Sequence, residues 1–154
     1  GGHDVPVDRI HARYHRVMAL LPRIIEDSDR ATVFDNSASP LLAFPFRQGK
    51  PLPSQDVLPG YLRAALLQPL RERQAEREAL ASYFPSLLLP DEAMGTYTGR
   101  LIEAGSHYLL QQCHRSEGPI RHDRLMLPTN YELTEGQGIT LSYKEGMGSV
   151  EFSG

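Results

Sequence analysis

The uneven distribution of proline and glycine constrains the fold of this 154-residue chain more than any other feature. Ten of the 12 prolines lie in residues 1–90, whereas nine of the 13 glycines lie in residues 91–154. The formal net charge changes at the same place, from +1 in the first segment to −4 in the second. Two such different compositions predict two modules, residues 1–90 and residues 91–154, with a boundary near residues 90–95.

The first module is predicted to begin with a helix. Apolar residues from Val7 to Ile25 recur at the i, i+3 and i+4 spacing of an amphipathic helix. Asp4 suits the N-cap of this helix and Pro6 suits its first turn. Pro22 is expected to kink or end the helix, because proline cannot donate the backbone hydrogen bond of a helix interior.

The rest of the first module is predicted to contain one strand, a connection and a second helix. Residues 31–34 read as a short buried strand, and the five prolines of residues 40–59 favour an ordered but irregular connection. A second helix is expected over residues 61–83, with a kink at Pro69. Its polar run, residues 71–78, is typical of a solvated helical face.

The second module is predicted to be built from short strands. Apolar and polar residues alternate over residues 139–143, a turn follows at residues 145–148, and Val150 and Phe152 continue the apolar face on a return strand. Three further strands are expected at residues 97–103, with a bulge at Gly99, and at 107–113 and 120–125. So many short strands in about 60 residues favour a sheet that closes into a barrel. The predicted fold class is therefore α+β, with a helical first module and a small SH3-like or OB-like β-barrel.

The sequence contains no recognisable catalytic motif. Neither lysine, Lys50 or Lys144, lies in a phosphate-binding P-loop. His122 and Asp123 are neighbours on a predicted strand, so their side chains point to opposite faces and cannot pair as base and orienting group. The single cysteine, Cys113, excludes an internal disulfide bond. We therefore expect no catalytic residue, no metal site and no cofactor in this chain.

Residues 1–40 resemble the C-terminal part of zeta-toxin-like P-loop kinases. The resemblance rests on Gly-Gly-His-Asp-Val-Pro at residues 1–6, on Arg13-Tyr14 and on Asp35-Asn36-Ser37. It implies a parent protein that transfers phosphate from ATP, with Mg²⁺, to a small substrate such as a nucleotide sugar. It also implies that Arg13 and His3 contact phosphate or nucleotide, and that the P-loop lies upstream of Gly1.

Residues 95–152 resemble a KfrB-type domain of plasmid-encoded proteins. The matching pieces include Gly95-x-Tyr97-x-Gly99, His107-Tyr108, Arg121-His122-Asp123 and Gly146-x-Gly148-x-Val150. The resemblance implies a plasmid or mobile-element context. His107, Arg121, His122 and Asp123 are the candidate binding surface of this module.

The expected function is non-catalytic binding or targeting at the C-terminus of a zeta-toxin-like, plasmid-encoded protein. Two alternatives stay open: the chain belongs to an ATP-dependent small-molecule kinase, or it is a DNA-binding accessory module for plasmid maintenance. A protein partner is preferred, because the −4 charge of residues 91–154 opposes binding to duplex DNA. A cytoplasmic location without membrane contact is expected, since the N-terminus lacks the features of a signal peptide and no apolar run reaches about 20 residues.

Overall fold

The structure, a computed structural model, describes residues 4–6, 15–35, 42–51 and 63–153. The chain divides into two compact units, Gly1–Glu72 and Arg73–Gly154. This division falls earlier in the chain than the boundary expected near residues 90–95. Each unit combines helix with sheet, which confirms the α+β class.

The first unit contains a four-stranded sheet in the order β1-β2-β3-β4. Strand β1 is parallel to β2, and the other neighbours are antiparallel. The elements are β1 (Asp4–Pro6), α1 (His15–Glu26), β2 (Arg30–Asp35), β3 (Leu42–Arg47), β4 (Lys50–Pro51) and a π-helical turn (Arg63–Leu67).

The predicted first helix is confirmed over its described part, His15–Glu26, and residues 7–14 lie outside the described residues. Asp4 and Pro6, expected at the N-terminus of that helix, lie instead in β1, which pairs with the start of β2. Pro22 does not end α1, which continues to Glu26. The reason is packing, because Leu21 and Ile25 are both buried and lie on one side of the helix, one turn apart.

The connection predicted to be irregular contains a β-hairpin. Phe44 and Phe46 are buried on either side of the exposed Pro45, which is the alternation of a strand. Gln48 and Gly49 both have positive φ, 52° and 80°, as a tight two-residue hairpin turn requires. The prediction was wrong because it weighted the prolines above this alternation.

The core of the first unit combines the helix, the sheet and the residues around the π-helical turn. It consists of Leu21, Ile25, Ala31, Val33, Phe44, Phe46, Leu66, Leu67 and Leu70. The following helix, α2 (Gln68–Tyr83), begins directly after the π-helical turn. Pro69 is the second residue of α2 and follows the π-helical turn without a break, so the regular α-helical pattern is interrupted next to this proline, where the sequence predicts a kink.

The second unit is a five-stranded antiparallel sheet with α2 residues from Arg73 onward. The strand order is β7-β6-β5-β8-β9. The strands are β5 (Thr96–Ala104), β6 (Tyr108–Cys113), β7 (Ile120–Asp123), β8 (Gly138–Lys144) and β9 (Met147–Phe152), with a 3-10 turn (Arg124–Met126) after β7.

The predicted SH3-like or OB-like barrel is wrong, because the sheet is not closed. Strands β7 and β9 lie at opposite edges of the sheet. Closure is not needed to bury the apolar face, since the segment between β7 and β8 covers it with Met126, Leu127 and Leu133. Side chains of α2 contact the other face near β6 and β7. The loop and the helix thus provide the second layers that a barrel would otherwise provide.

The bulge in β5 is not at Gly99. The register shift lies between Leu101 and Glu103. Gly99 has a different role, because a Cβ atom at this position would overlap the main-chain oxygen of Gln112 on the neighbouring strand. The glycine predicted to mark a bulge therefore marks a close approach of two strands.

Across the described part of the chain, no helix has both the length and the apolar character needed to cross a bilayer.

Candidate functional site

The Arg121-His122-Asp123 segment forms the last three of the four residues of β7. Because side chains alternate along a strand, Arg121 and Asp123 face one side of the sheet and His122 faces the other. The hydrogen bonds agree: His122 contacts Gln111 and Tyr143, whereas Asp123 contacts Arg73. The expectation that the adjacent His and Asp do not pair is confirmed.

His122 lies at the centre of a buried polar network on the apolar face. Its Nδ1 is 2.6 Å from the Tyr143 hydroxyl, and its Nε2 is 2.9 Å from Gln111 Oε1. The ring of Tyr143 stacks on the imidazole, and Tyr97 approaches both rings edge-on. Because His122 and Gln111 have no exposed surface, each of their polar atoms needs a partner inside the protein.

The main chain fixes the protonation of this network. Gln111 Nε2 lies 3.0 Å from the carbonyl oxygen of Ile139 and 3.2 Å from that of Gly99. Carbonyl oxygens only accept, so the amide NH₂ group must face them and Oε1 must face His122. His122 Nε2 therefore donates to Oε1, and Nδ1 accepts from Tyr143. His122 is neutral, and burial lowers its pKa from 6.5 to about 4.

Asp123 forms a buried ion pair on the opposite face of the sheet. Both carboxylate oxygens accept from the guanidinium of Arg73, at 3.0 Å and 2.7 Å. The Arg73 side chain is only 2% exposed, so the polar run of α2 is not the fully solvated face that was expected. Asp123 Oδ1 also accepts from the main-chain N–H of Leu125 and caps the 3-10 turn.

Sequence reasoning missed Arg73, although the sequence contains a signal for it. Leu66, Leu70 and Arg73 follow one another at i+4 and i+3, so the arginine continues the buried stripe of the two leucines. An arginine at an apolar position of a helix indicates a buried acidic partner. The partner lies 50 residues further along the chain, so its identity could not be predicted from the spacing.

Tyr108 is surrounded by three guanidinium groups on the same face as Asp123. The carbon atoms at the centres of these groups lie 4.9 Å (Arg121), 5.1 Å (Arg73) and 5.9 Å (Arg77) from the ring centroid. Arg77 also donates to the Tyr108 hydroxyl at 2.7 Å. Arg121 is thus only half-exposed, and it lies over an aromatic ring.

The turn between β5 and β6 is tied to α2 by Glu76. The carboxylate of Glu76 accepts from the main-chain N–H of His107 at 2.8 Å. A Cβ atom at Gly105 would overlap this carboxylate, so a larger residue there would displace the Glu76 side chain from its present position. His107 is half-buried at this turn, away from the middle of β7.

The four residues proposed as a binding surface therefore do not share one exposed face. His122 lies under the apolar face, Asp123 is buried in an ion pair, and Arg121 and His107 are half-buried. Their role in binding stays a prediction. The contacts of His122 and Asp123 hold β7 to the rest of the unit from both faces.

A different feature emerges at β9, which is joined to β8 by a tight turn. Glu145 and Gly146 both have positive φ, 52° and 86°, as in a two-residue hairpin turn. Such a turn makes the flanking residues, Lys144 and Met147, a hydrogen-bonded pair. The turn therefore fixes which main-chain groups of β9 face β8.

The outward main-chain groups of β9 belong to Gly148, Val150 and Phe152. Hydrogen-bonded and non-bonded pairs alternate along an antiparallel ladder, so these three residues direct their N–H and C=O away from β8. The bond from Ser153 N–H to the Gly138 carbonyl, 2.9 Å, continues the same alternation. In the described ranges of the chain, no main-chain hydrogen bond reaches these outward groups.

The opposite edge of the sheet is bonded to another segment. The N–H of Leu88 donates to the Pro119 carbonyl at 2.8 Å, and the N–H of Arg121 donates to the Leu88 carbonyl at 2.9 Å. These bonds form a parallel bridge beside β7. Only the β9 edge thus has a row of unbonded main-chain groups among the residues of this sheet that the structure describes.

Exposed apolar side chains flank the β9 edge. Phe152, 48% exposed, and Tyr131, 39% exposed, meet edge to face with ring centroids 5.5 Å apart. Met147 at the other end of the strand is 38% exposed. Unbonded main-chain groups beside exposed aromatic side chains are the features that an added strand can use. We define the β9 edge as residues 147–152 together with Tyr131.

Three further residues that the sequence analysis considered are His3, Arg13 and Cys113. His3 and Arg13, assigned to phosphate or nucleotide by resemblance, lie outside the described residues. Cys113 is buried in β6, and burial raises the pKa of its thiol. Within the described ranges, no three side chains of the metal-ligating types converge.

The second unit is thus an open antiparallel sheet with buried polar networks and one unbonded edge. Comparison with known proteins finds a match within this unit: the family model of the KfrB domain matches residues 96–151. The match runs from the first residue of β5 to the residue before the end of β9, so the resemblance seen in the sequence is confirmed for this part of the chain. No curated protein and no solved structure matches the chain.

Proposed function

We propose that the KfrB-type part of this chain is an accessory module of a plasmid-encoded protein, and that it binds an extended protein segment along the β9 edge. The module performs no reaction of its own. The observation that carries the proposal is the row of unbonded main-chain groups at Gly148, Val150 and Phe152, beside the exposed aromatic pair of Phe152 and Tyr131. An extended peptide can pair with such a strand through main-chain hydrogen bonds, while apolar side chains add affinity.

The positions of the polar residues support binding rather than catalysis. His122 is neutral and has no exposed surface, and Asp123 is paired with Arg73. General acid–base chemistry needs a group that reaches the substrate and exchanges a proton near the working pH. Both side chains instead stabilise the position of β7.

Charge supports a protein partner rather than duplex DNA. Residues 91–154 have a net charge of −4, so the field around the module repels phosphates. Near the β9 edge, Glu151 is exposed and acidic. Tight binding to duplex DNA near physiological salt requires several converging basic contacts, which this strand does not offer.

Site-specific photo-cross-linking tests the proposal. A benzophenone amino acid replaces Phe152 in the full chain. The chain is expressed in bacteria from a plasmid. We expect a covalent adduct with a protein, which forms again when the purified components are mixed. The adduct partner can be any protein, including a second copy of the chain.

The matched control places the same photoreactive residue at Tyr83. This aromatic side chain is 81% exposed and lies at the end of α2. Adducts that form equally from both positions, or from neither, contradict the proposal.

The resemblance of residues 1–40 to zeta-toxin-like kinases adds a second, separate proposal about the parent protein. If the parent is an ATP-dependent kinase, the KfrB-type module is the part that brings it to its partner. The module itself is not expected to bind ATP or Mg²⁺, and titration of the purified chain with ATP tests this.

A further inference from the structure

We infer that the β9 edge pairs with the β9 edge of a second copy of this chain, antiparallel and about a two-fold axis at Val150. This inference rests on the proposed function, because it names the partner of the same strand. It predicts a continuous sheet that runs through both copies. A two-fold contact uses the same surface twice, so the surface must complement itself.

The main chain favours this register. Only Gly148, Val150 and Phe152 direct hydrogen-bonding groups outward, so these residues must face one another across the contact. An axis at Val150 pairs Val150 with its own copy, and it pairs Gly148 with Phe152 in both directions. Every outward group of the strand then has a partner, and each opposed pair exchanges two hydrogen bonds.

The exposed polar side chains are complementary in the same register. Ser149 lies opposite Glu151 of the second copy in both directions. Its hydroxyl donates to the Ser142 carbonyl at 3.3 Å within the chain, and rotation about its Cα–Cβ bond would let it donate to the facing carboxylate, which is the stronger acceptor. An axis at Glu151 would place the two carboxylates opposite each other, which is unfavourable. An axis at Ser149 leaves Phe152 beyond the end of the strand, opposite Gly146. The register at Val150 satisfies both the main chain and the side chains.

The apolar side chains also match in this register. Phe152 lies opposite Gly148 of the second copy. Gly148 is in contact with Leu127 and with the main chain of Met126, because a Cβ atom at this glycine would meet both. The exposed ring of Phe152 therefore reaches an apolar surface on the second copy, and Tyr131 beside it extends the contact.

The strand lacks the features that usually prevent pairing between sheet edges. Such edges are commonly blocked by lysine, proline or a bulge. Strand β9 has the sequence Met-Gly-Ser-Val-Glu-Phe, and its register with β8 is regular over all six residues. Glu151 is its single charge, and the Val150 register places this charge opposite a serine.

Sedimentation of the full chain and disulfide trapping test the inference together. We expect the mass of the chain to rise with concentration from 17.2 kDa towards twice that value. We also expect a mixed disulfide when the Ser149→Cys and Glu151→Cys variants are combined and oxidised. Directly opposed non-bonded residues have Cα atoms about 4.5 Å apart, which is within disulfide range. Either cysteine variant alone should cross-link far more slowly, and the unmodified chain, with its buried Cys113, is the control.

A charge variant tests the same register without relying on a cysteine. Ser149→Glu places a new carboxylate opposite Glu151 in both directions and should weaken self-association about tenfold. Thr98→Glu adds the same charge at an exposed position on the same face of β5 and should leave self-association unchanged. Circular dichroism of both variants confirms that each is folded.

The outcomes distinguish this inference from the proposed function. A chain that stays at 17.2 kDa at every concentration, with no mixed disulfide, overturns pairing with a second copy. If such a chain still cross-links another protein from position 152 but not from position 83, the proposed function stands and only the partner is wrong. A dimer that forms disulfides from Ser149→Cys alone, or that tolerates Ser149→Glu, overturns the register.

Discussion

The two edge strands of the five-stranded sheet, β7 and β9, differ in how they are held. Strand β7 is bonded to Leu88 by two main-chain hydrogen bonds at its start, and its successive residues His122 and Asp123 are anchored on opposite faces. Strand β9 is bonded only to β8 among the described residues, and of its side chains only Val150 is buried. The β7 edge therefore contributes to the stability of the unit, whereas the β9 edge is available for pairing with another strand.

This difference separates two kinds of polar group in one small unit. The buried side chains of β7 stabilise the fold, whereas the unbonded main-chain groups of β9 are open to a partner. The buried imidazole and carboxylate of β7 resemble catalytic groups in sequence, but their contacts make them part of the fold. The groups that we propose for binding are main-chain atoms of β9, which no sequence motif marks.

The largest effect is expected at the β7 edge from Arg73→Ala. The substitution leaves the carboxylate of Asp123 buried without its guanidinium partner, which costs about 3–5 kcal/mol of the free energy of unfolding. Urea denaturation of the full chain measures the loss. Arg71→Ala, at an exposed position in the same helix, should change the stability by less than about 0.5 kcal/mol. Equal losses in the two variants contradict the role of this ion pair.

The second effect is a loss of stability at low pH that depends on His122. The pKa of His122 is about 4 in the folded chain and 6.5 in an unfolded chain, so below pH 6.5 the unfolded state binds the proton more readily. The free energy of unfolding should therefore fall as the pH decreases from about 6.5 to 4, by about 3 kcal/mol in total. Above pH 6.5 this histidine should contribute no pH dependence.

Chemical denaturation at pH 7 and pH 5 measures this dependence. The His122→Gln variant is the control, because it lacks the titrating group and keeps a polar side chain at the same position. The native chain should lose more stability than the variant between the two pH values. The same loss in both proteins would show that other groups cause it.

A smaller effect is expected where β7 meets Leu88. Leu88→Pro removes the N–H that donates to the Pro119 carbonyl, and the lost hydrogen bond should cost about 1 kcal/mol. Leu89→Pro is the comparison, because no main-chain bond joins Leu89 to the described residues of β7. Thermal melting of both variants measures the difference. If Leu89→Pro destabilises the chain as much as Leu88→Pro, the bridge does not secure this edge.

The smallest effect on stability, with a large effect on binding, is expected at the β9 edge. Phe152→Ser removes a half-exposed ring and its contact with Tyr131, which should lower the free energy of unfolding by only about 0.5 kcal/mol. The same variant should lose most of the concentration-dependent increase in mass. Tyr83→Ser, which removes another exposed ring, should retain it. If Phe152→Ser retains the concentration-dependent increase in mass, this side chain is not part of the contact between the two copies.

Local features of the sheet could be predicted from the sequence. The alternation around Ile139, Leu141 and Tyr143 predicted β8, and the same period placed Val150 and Phe152 on the return strand. Alternation also separated the side chains of His122 and Asp123, as observed. These features depend on neighbours in sequence, so a period of two is sufficient to identify them.

Features that depend on distant parts of the chain could not be predicted. The network of His122 joins residues from four strands, which requires the register of the whole sheet. The partner of Asp123 comes from α2, and the cover of the apolar face comes from a loop that contains Leu133. Without that loop and helix, a closed barrel was the simplest way to bury the strands, and that expectation failed.

Amide hydrogen exchange in the full chain tests the contrast between the two edges most directly. Arg121 and Val150 both direct their main-chain N–H away from the middle of the sheet, but only the N–H of Arg121 is bonded, to the Leu88 carbonyl at 2.9 Å. We predict that the Arg121 amide exchanges slowly at every concentration. The Val150 amide should exchange fast in dilute solution and become protected as the concentration of the chain rises. A Val150 amide that is as slow as that of Arg121 in the most dilute sample would contradict an unbonded β9 edge.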